Sequence, residues 1–198
     1  MDIVNDIKDR VERASSGYSL SFEKLLQRGL NIFRQEPGQL VLYGFLASLA
    51  SSVHILLGGP VTAGFFNGAE RIEKGKPVDI NDFFKGFDKF FPLFVVNLLV
   101  TFIIFLGLLL LIIPGIYFAV SYFFAHCFVW FYDVEATEAI RLSRKTVSGN
   151  FGQILLLCLI LAAINFLGAM AFGVGLLITI PFSYIVAYAA FDDIIGIP

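Results

Sequence analysis

The stretch that decides the fold runs from Phe90 to Tyr132, FFPLFVVNLLVTFIIFLGLLLLIIPGIYFAVSYFFAHCFVWFY, 43 residues without a formal charge. One bilayer crossing needs only ~20 apolar residues as a helix. Pro114-Gly115 stands near the middle of the stretch, where a chain can reverse and a proline can open the returning helix. Two crossings joined by a tight turn fit it. Charges resume at once on both flanks, at Asp88-Lys89 and at Asp133.

Working outward, all fourteen Lys and Arg fall in three islands. Lys8, Arg10, Arg13, Lys24, Arg28 and Arg34 precede the first apolar run, five bases lie between Arg71 and Lys89, and Arg141, Arg144 and Lys145 form the third. Basic residues accumulate in cytoplasmic loops of membrane proteins, so the islands mark one face of a bilayer and the proline turns mark the other. The first 37 residues are charged throughout and lack a short apolar core with a small-residue cleavage site. No cleavable signal peptide is expected, and both termini are expected in the cytoplasm.

The composition agrees. The chain is 58% hydrophobic and 15% charged, with mean hydropathy +0.82, against about 45–50% and about 25% in soluble domains. Net charge is −2 and the acids share the islands with the bases, which excludes a nucleic-acid surface and argues against a polybasic lipid-binding tail. Cys127 and Cys158 lie in apolar runs, without CxxC or clustered His. They read as packing residues, and no metal, disulfide or cofactor is expected.

A unit of leading amphipathic segment, apolar helix, proline turn and second apolar helix recurs three times. The copies span about 22–75, 80–132 and 138–193 and turn at Gly59-Pro60, Pro114-Gly115 and Pro181. The stretch Gly107 to Pro114 resembles Gly175 to Pro181. From the leading glycine to the proline each unit covers about one membrane thickness at ~1.5 Å per residue. The expected fold is all-α: a polytopic bundle of six transmembrane helices in three pseudo-repeated hairpins, with amphipathic helices at the cytoplasmic interface. The crossings fall near 38–58, 60–74, 91–112, 114–132, 153–175 and 179–192, and the second is short. Residues 1–19 form a separate amphipathic helix from Ile3, Val4, Ile7 and Val11, and 20–198 form one domain.

Within the islands, Asp82 is a candidate N-cap. Phe83, Phe84, Phe87 and Phe90, with Arg141, Arg144 and Lys145 in the third island, are candidate interfacial anchors. Small residues at spacing four nominate helix contacts at Gly44, Ser48 and Ser52, at Gly64 and Gly68, and at Ala171 and Gly175. Polar groups in the apolar runs are few, and in lipid they must face other helices or a wet cavity. Asn97, His126 and Asn165 are either a substrate site or interhelical hydrogen-bond partners, and the second reading is preferred. Asn67 and Glu70, in the short second crossing, join them as candidates if the repeats enclose a transport path. His54 near the first turn is an external group. No carboxylate or lysine occurs mid-span, which weighs against a proton-driven pump.

Three elements carry a family resemblance. Glu138 to Phe151, EAIRLSRKTVSGNF, resembles the "A…S…(T)xGNF" pattern of bacterial multi-pass proteins related to the membrane domain of glycerophosphodiester phosphodiesterases. Ile113 to Tyr117 is similar to the same group's PGIY element, and Gly59 to Gly64 followed by Asp82 to Phe87 to its "GP…G…DxFxGF" element. The resemblance covers about residues 20–193. In members named for the enzyme, catalysis resides in a separate soluble domain, so the resemblance implies a membrane module without catalytic residues. The expected function is a non-enzymatic scaffold or accessory module of a bacterial inner membrane that binds lipid or a partner membrane protein, or a second copy of itself. The alternative is a channel or small-solute or lipid transporter with its path between the hairpins.

Overall fold

The structure is a computed structural model and describes residues 3–49, 54–171 and 173–198. Among them every regular element is helical. Two amphipathic helices, α1 (Ile3–Ser15) and α2 (Phe22–Gln35), lead into the apolar α3 (Pro37–Leu49) and then α4 (His54–Glu73). The short α5 (Ile80–Phe84) continues through a 3-10 turn, Lys85–Lys89, into α6 (Phe90–Leu110). Then come α7 (Ile112–Ser121), α8 (Ala125–Tyr132), the amphipathic α9 (Ala136–Ser148), α10 (Phe151–Met170) and α11 (Leu176–Ile195).

Four segments are long and apolar enough to cross a membrane: Ile80–Leu110, Ile112–Tyr132, Phe151–Met170 and Leu176–Ile195. The residues at the α6–α7 turn, Leu109 to Ile113, are 68–81% exposed, a surface suited to hydrocarbon rather than water. α3 is apolar but has only 13 residues.

The prolines sit differently from the sequence reading. α4 runs through Gly59 and Pro60 and α11 runs through Pro181. Each chain reversal therefore precedes its proline, and only Pro114 lies in the first turn of its helix. A proline is free of penalty only where its N–H would be unpaired. Deeper in a helix it releases the carbonyl four residues back. The carbonyl released by Pro181 belongs to Leu177, and α3 covers it: a Cβ added to Gly44 would lie 3.2 Å from that oxygen and 2.8 Å from the Pro181 ring. Gly44 is thus the contact that was expected. Ser48, one turn on, is exposed and donates to the Phe45 carbonyl at 2.6 Å, because α3 has there passed the start of α11. Ser52 and the side chains of Ile3, Val4 and His54 lie outside the described residues.

Glycines set the other close approaches. Gly64 and Gly68 face Phe83, and Gly86 lies against Pro60 and Gly64, where a Cβ would collide with the Pro60 carbonyl oxygen. α4 and the α5 segment thereby interlock. Phe83 is consequently fully buried and stacked on Tyr43 at 4.8 Å, not an interfacial anchor, while Phe84 remains 42% exposed. Phe87 and Phe90 are half-buried, Phe87 near Phe84 and Phe90 stacked on Phe94. The cap of α5 is Asp79 rather than Asp82: Asp79 accepts from Asn81 N–H, and Asp82 reaches back to accept from Asp79 N–H at 3.0 Å. At the apolar turns, Gly107 packs on Gly115 and Gly168 on Gly175. Ala171 is exposed, since it closes α10 at the turn instead of facing a helix. Gly107 stands before its turn and Gly175 after its own, so the first of the two aligned stretches spans its turn whereas the second lies wholly beyond its own.

α1 packs under the bundle against α9, α11 and α8, burying Ile7, Val11 and Ala14. α9 holds the break between α7 and α8. The buried Ser143 hydroxyl accepts from Phe124 N–H at 3.2 Å and donates to the Ser121 carbonyl at 2.9 Å, meeting backbone groups the broken helix leaves unpaired. Asn150 caps α10 through Gln153 N–H and donates to the Tyr18 carbonyl, and Gln153 accepts from Leu20 N–H at 2.7 Å. Gly149 lets the backbone of Ala14 approach. Ser143 therefore fastens the α7–α8 break, and Gly149-Asn150 with Gln153 clamp the N-terminal segment. Arg141 and Arg144 are exposed, Arg141 pairing with Glu138 at 2.5 Å, and Lys145 pairs with Glu12.

Candidate functional site

The apolar helices α6, α10 and α11 each turn one face, polar and apolar residues mixed at helical spacing, to a common centre: 97, 100, 101 and 104; 158, 161, 162 and 165; 180, 183, 184 and 187. The three faces meet, with Thr62 and Phe66 of α4 and Phe123 and His126 beside them, around a cavity of about 560 Å³. That lies within the ~300–1,000 Å³ of small-molecule sites. Asn97, His126 and Asn165 all line it.

They are also interhelical partners. Asn97 donates to the Ile55 carbonyl at 3.0 Å, tying α6 to α4, and its amide oxygen lies 3.2 Å from His126 Nε2. Asn165 donates to the Ser183 hydroxyl at 2.9 Å, which donates to the Thr179 carbonyl at 2.8 Å. Two buried oxygens in this region, Asn165 Oδ1 and Thr179 Oγ1, have no hydrogen-bond partner. Tyr184 is bonded to Thr62 across the α4–α11 contact.

Asn67 and Glu70 do not belong to the cavity. Asn67 donates to the Asp82 carbonyl at 2.7 Å and so fastens α4 to α5, and Glu70 pairs with Lys74 one turn on. Asn67 lies about 100° around α4 from Phe66, whereas Glu70 follows Thr62 and Phe66 on the same stripe but one turn nearer the charged end, past the cavity.

The cavity is closed toward the charged end of the bundle. Phe66, on its wall, packs on Phe131 at 6.3 Å, and Phe131 packs on Tyr188 and Phe191 at 6.0 and 5.9 Å. Below this aromatic layer lies a cluster that the sequence reading did not identify. Arg28 of α2 makes two bonds to Glu73, at 2.6 and 2.8 Å, and one each to Asp192 and Asp193, at 2.5 and 2.6 Å. The Tyr188 hydroxyl donates to Glu73 at 2.8 Å and its ring stacks under the guanidinium. The Glu73 bond, against the cost of burial, holds Arg28 protonated above its ordinary value. A fork of five donors suits three carboxylates in a way a lysine does not. The only sequence cue was an isolated Asp192-Asp193 pair ending an apolar run with no base beside it. Toward the opposite, apolar end, the wall is made by Ile104, Asn165 and Ile180, the last exposed.

Fold and site together define a class: a multi-helix protein with the apolar surface of an integral membrane protein and a mainly apolar cavity that carries a few polar side chains. Uncharacterised proteins of Mycobacterium tuberculosis and Mycobacterium bovis are similar to this chain, each 28% identical over 159 residues. The alignment covers 80% of this chain, which spans about half, 47%, of the relatives' own length. No family model matches the chain, and no solved structure matches it significantly.

Proposed function

We propose that this is a non-enzymatic, multi-pass protein of a bacterial cytoplasmic membrane, an accessory module that binds a membrane lipid or small amphiphile in the cavity between its hairpins. In this reading six crossings form three repeated hairpins, with α3 and α4 as the short pair. The charged end, which carries α1, α2, α9 and both termini, faces the cytoplasm in accord with the distribution of Lys and Arg. The resemblance of the Ser143…Gly149-Asn150 pattern to the membrane domain of the glycerophosphodiester phosphodiesterase group supports a lipid-facing role. The observation that carries the proposal is the convergence of Asn97, His126 and Asn165 on one cavity of about 560 Å³.

Native mass spectrometry of the gently extracted protein tests it. The expected result is a stoichiometric lipid retained by the native chain and lost in Ala162→Trp, which fills the cavity. A lipid retained equally by both, or no bound lipid at all, would count against the proposal.

A second reading, transport of the same ligand, draws on the one-sided closure of the cavity by Phe66, Phe131 and Tyr188 above the Arg28 cluster. Alternating access needs a gate of this kind. Flux through proteoliposomes that rises or falls at least fivefold in Phe131→Ala would favour transport over static binding.

A further inference from the structure

The cavity has a chemistry narrower than "lipid". Among the described residues lining it there is no Lys, Arg, Asp or Glu. A phosphate or carboxylate seated there would lose its hydration without gaining a formal partner charge, a penalty of several kcal/mol or more. The polar groups offered are amides, hydroxyls and one imidazole, which recognise neutral hydrogen-bonding groups.

Asn165 narrows the class further. Its Nδ2 is committed to Ser183 and its Oδ1 is buried with no donor. Reversing the amide would move the unmet need from an acceptor to a donor without removing it. The Ser183 hydroxyl cannot fill both ends, since its own hydrogen is given to the Thr179 carbonyl. A ligand hydroxyl, which donates and accepts, satisfies either orientation once the side chains that now cover the amide move aside.

Polarity along the cavity sets the pose. Thr62 and Asn97 are buried in its walls, whereas Ile180 forms the exposed rim. Beyond the rim the α6–α7 turn is wholly apolar, with its backbone bonded internally, Leu111 N–H to the Gly107 carbonyl at 3.0 Å and Gly115 N–H to that of Leu111 at 3.4 Å. A ligand that crosses this end must be apolar where it meets the rim.

We propose that the ligand is an amphiphile with an uncharged, hydroxyl-bearing headgroup, of the diacylglycerol or long-chain alcohol class, seated with its hydroxyl at Asn165 and its chains leaving past Ile180. This rests on the reading of the cavity as a lipid site.

The test uses the full chain in phosphatidylcholine nanodiscs containing a trace of diazirine-labelled diacylglycerol or of phosphatidate with the same chains, and maps the crosslinks by peptide mass spectrometry. The diacylglycerol probe is expected to label the cavity faces of α6, α10 and α11, with competition by unlabelled diacylglycerol but not by phosphatidate. Asn165→Leu lowers capture about three- to tenfold, the worth of one neutral hydrogen bond. Ile180→Trp, which keeps every polar group and stands at the rim, lowers it as well and guards against a folding defect in the first variant. Equal or stronger labelling by phosphatidate overturns the uncharged headgroup and leaves lipid binding in place. Labelling confined to the outer surface by both probes overturns the headgroup class and the binding site together.

Discussion

The charged and apolar ends of this bundle are held by opposite means. At the charged end, specific polar bonds join segments far apart in sequence: Arg28 to Glu73, Asp192 and Asp193, and Asn150 to Tyr18. At the apolar end the hairpins are closed by glycine against glycine, Gly107 on Gly115 and Gly168 on Gly175, and the side chains beyond point into open surroundings. Where water is near, polar bonds can select among packings because a wrong partner leaves a charge unmet. In hydrocarbon only shape and internally satisfied backbone remain. The cavity lies between the two regimes, with the aromatic layer and the Arg28 cluster on one side and the glycine-closed turns on the other.

The largest expected effect comes from breaking the charged end at its centre. Arg28→Met leaves three carboxylates beside one another without their cation. For a broken buried ion pair the cost is ~3–5 kcal/mol, and with the Arg28 side chain 25% exposed the lower end, about 3 kcal/mol, applies. Thermal unfolding in detergent should show a clear fall in Tm, with Arg28→Lys recovering only part because it cannot make the fork. A Tm unchanged in Arg28→Met would mean that the cluster orders the surface without holding the bundle.

Next in size is Gly86→Ala. Its Cβ would meet the Pro60 carbonyl oxygen and lie 2.8 Å from Gly64 N, both backbone atoms that no rotamer can move. Overpacking of this kind costs ~1–3 kcal/mol, and the upper end is expected. Gly152→Ala in α10, with nothing within 4 Å of the added carbon, should instead be neutral or gain up to ~1 kcal/mol from helix propensity. If the two variants unfold alike, the close approach of α4 to the α5 segment is not what holds them together.

Ser143→Ala follows. It removes an acceptor from Phe124 N–H and a donor from the Ser121 carbonyl at the α7–α8 break, and unmet buried groups cost about 1–3 kcal/mol. Hydrogen exchange read peptide by peptide should locate the loss at 121–125, with α10 unaffected. Protection lost evenly across the bundle would argue against a local clamp.

These sites differ in how much of them the sequence discloses. The burial of α1 on Ile7 and Val11, the apolar hairpins and the polar character of Asn97, His126 and Asn165 follow from periodicity and from rarity of polar groups in apolar runs. Only Asn97 and Asn165 stand on faces whose helical spacing, 97/100/101/104 and 158/161/162/165, runs through the cavity lining, and His126 of α8 is brought to them by packing alone. The proline positions misled because a proline is most at home at a helix start, and only packing reveals that Gly44 covers the carbonyl Pro181 frees. Phe83 misled because an aromatic beside charges resembles an interface. Its burial depends on Gly64, Gly68 and Gly86 making room, a property of two chain segments at once. The Arg28 cluster joins residues 45, 164 and 165 positions apart, a pairing that no local pattern encodes.

The smallest effect is expected at the apolar end. Leu110 is 77% exposed at the α6–α7 turn and the turn's backbone bonds are made without any side chain. Leu110→Ala should therefore change stability in detergent by no more than ~0.5 kcal/mol, as for surface positions generally. The same substitution at Leu93, buried in α6, should cost ~2–5 kcal/mol. Measured together, the pair separates a tip that merely meets lipid from one that packs. A cost at Leu110 approaching that at Leu93 would show that the exposed leucines are covered by another chain in the native assembly. The asymmetry between the two ends would then belong to the isolated protein alone.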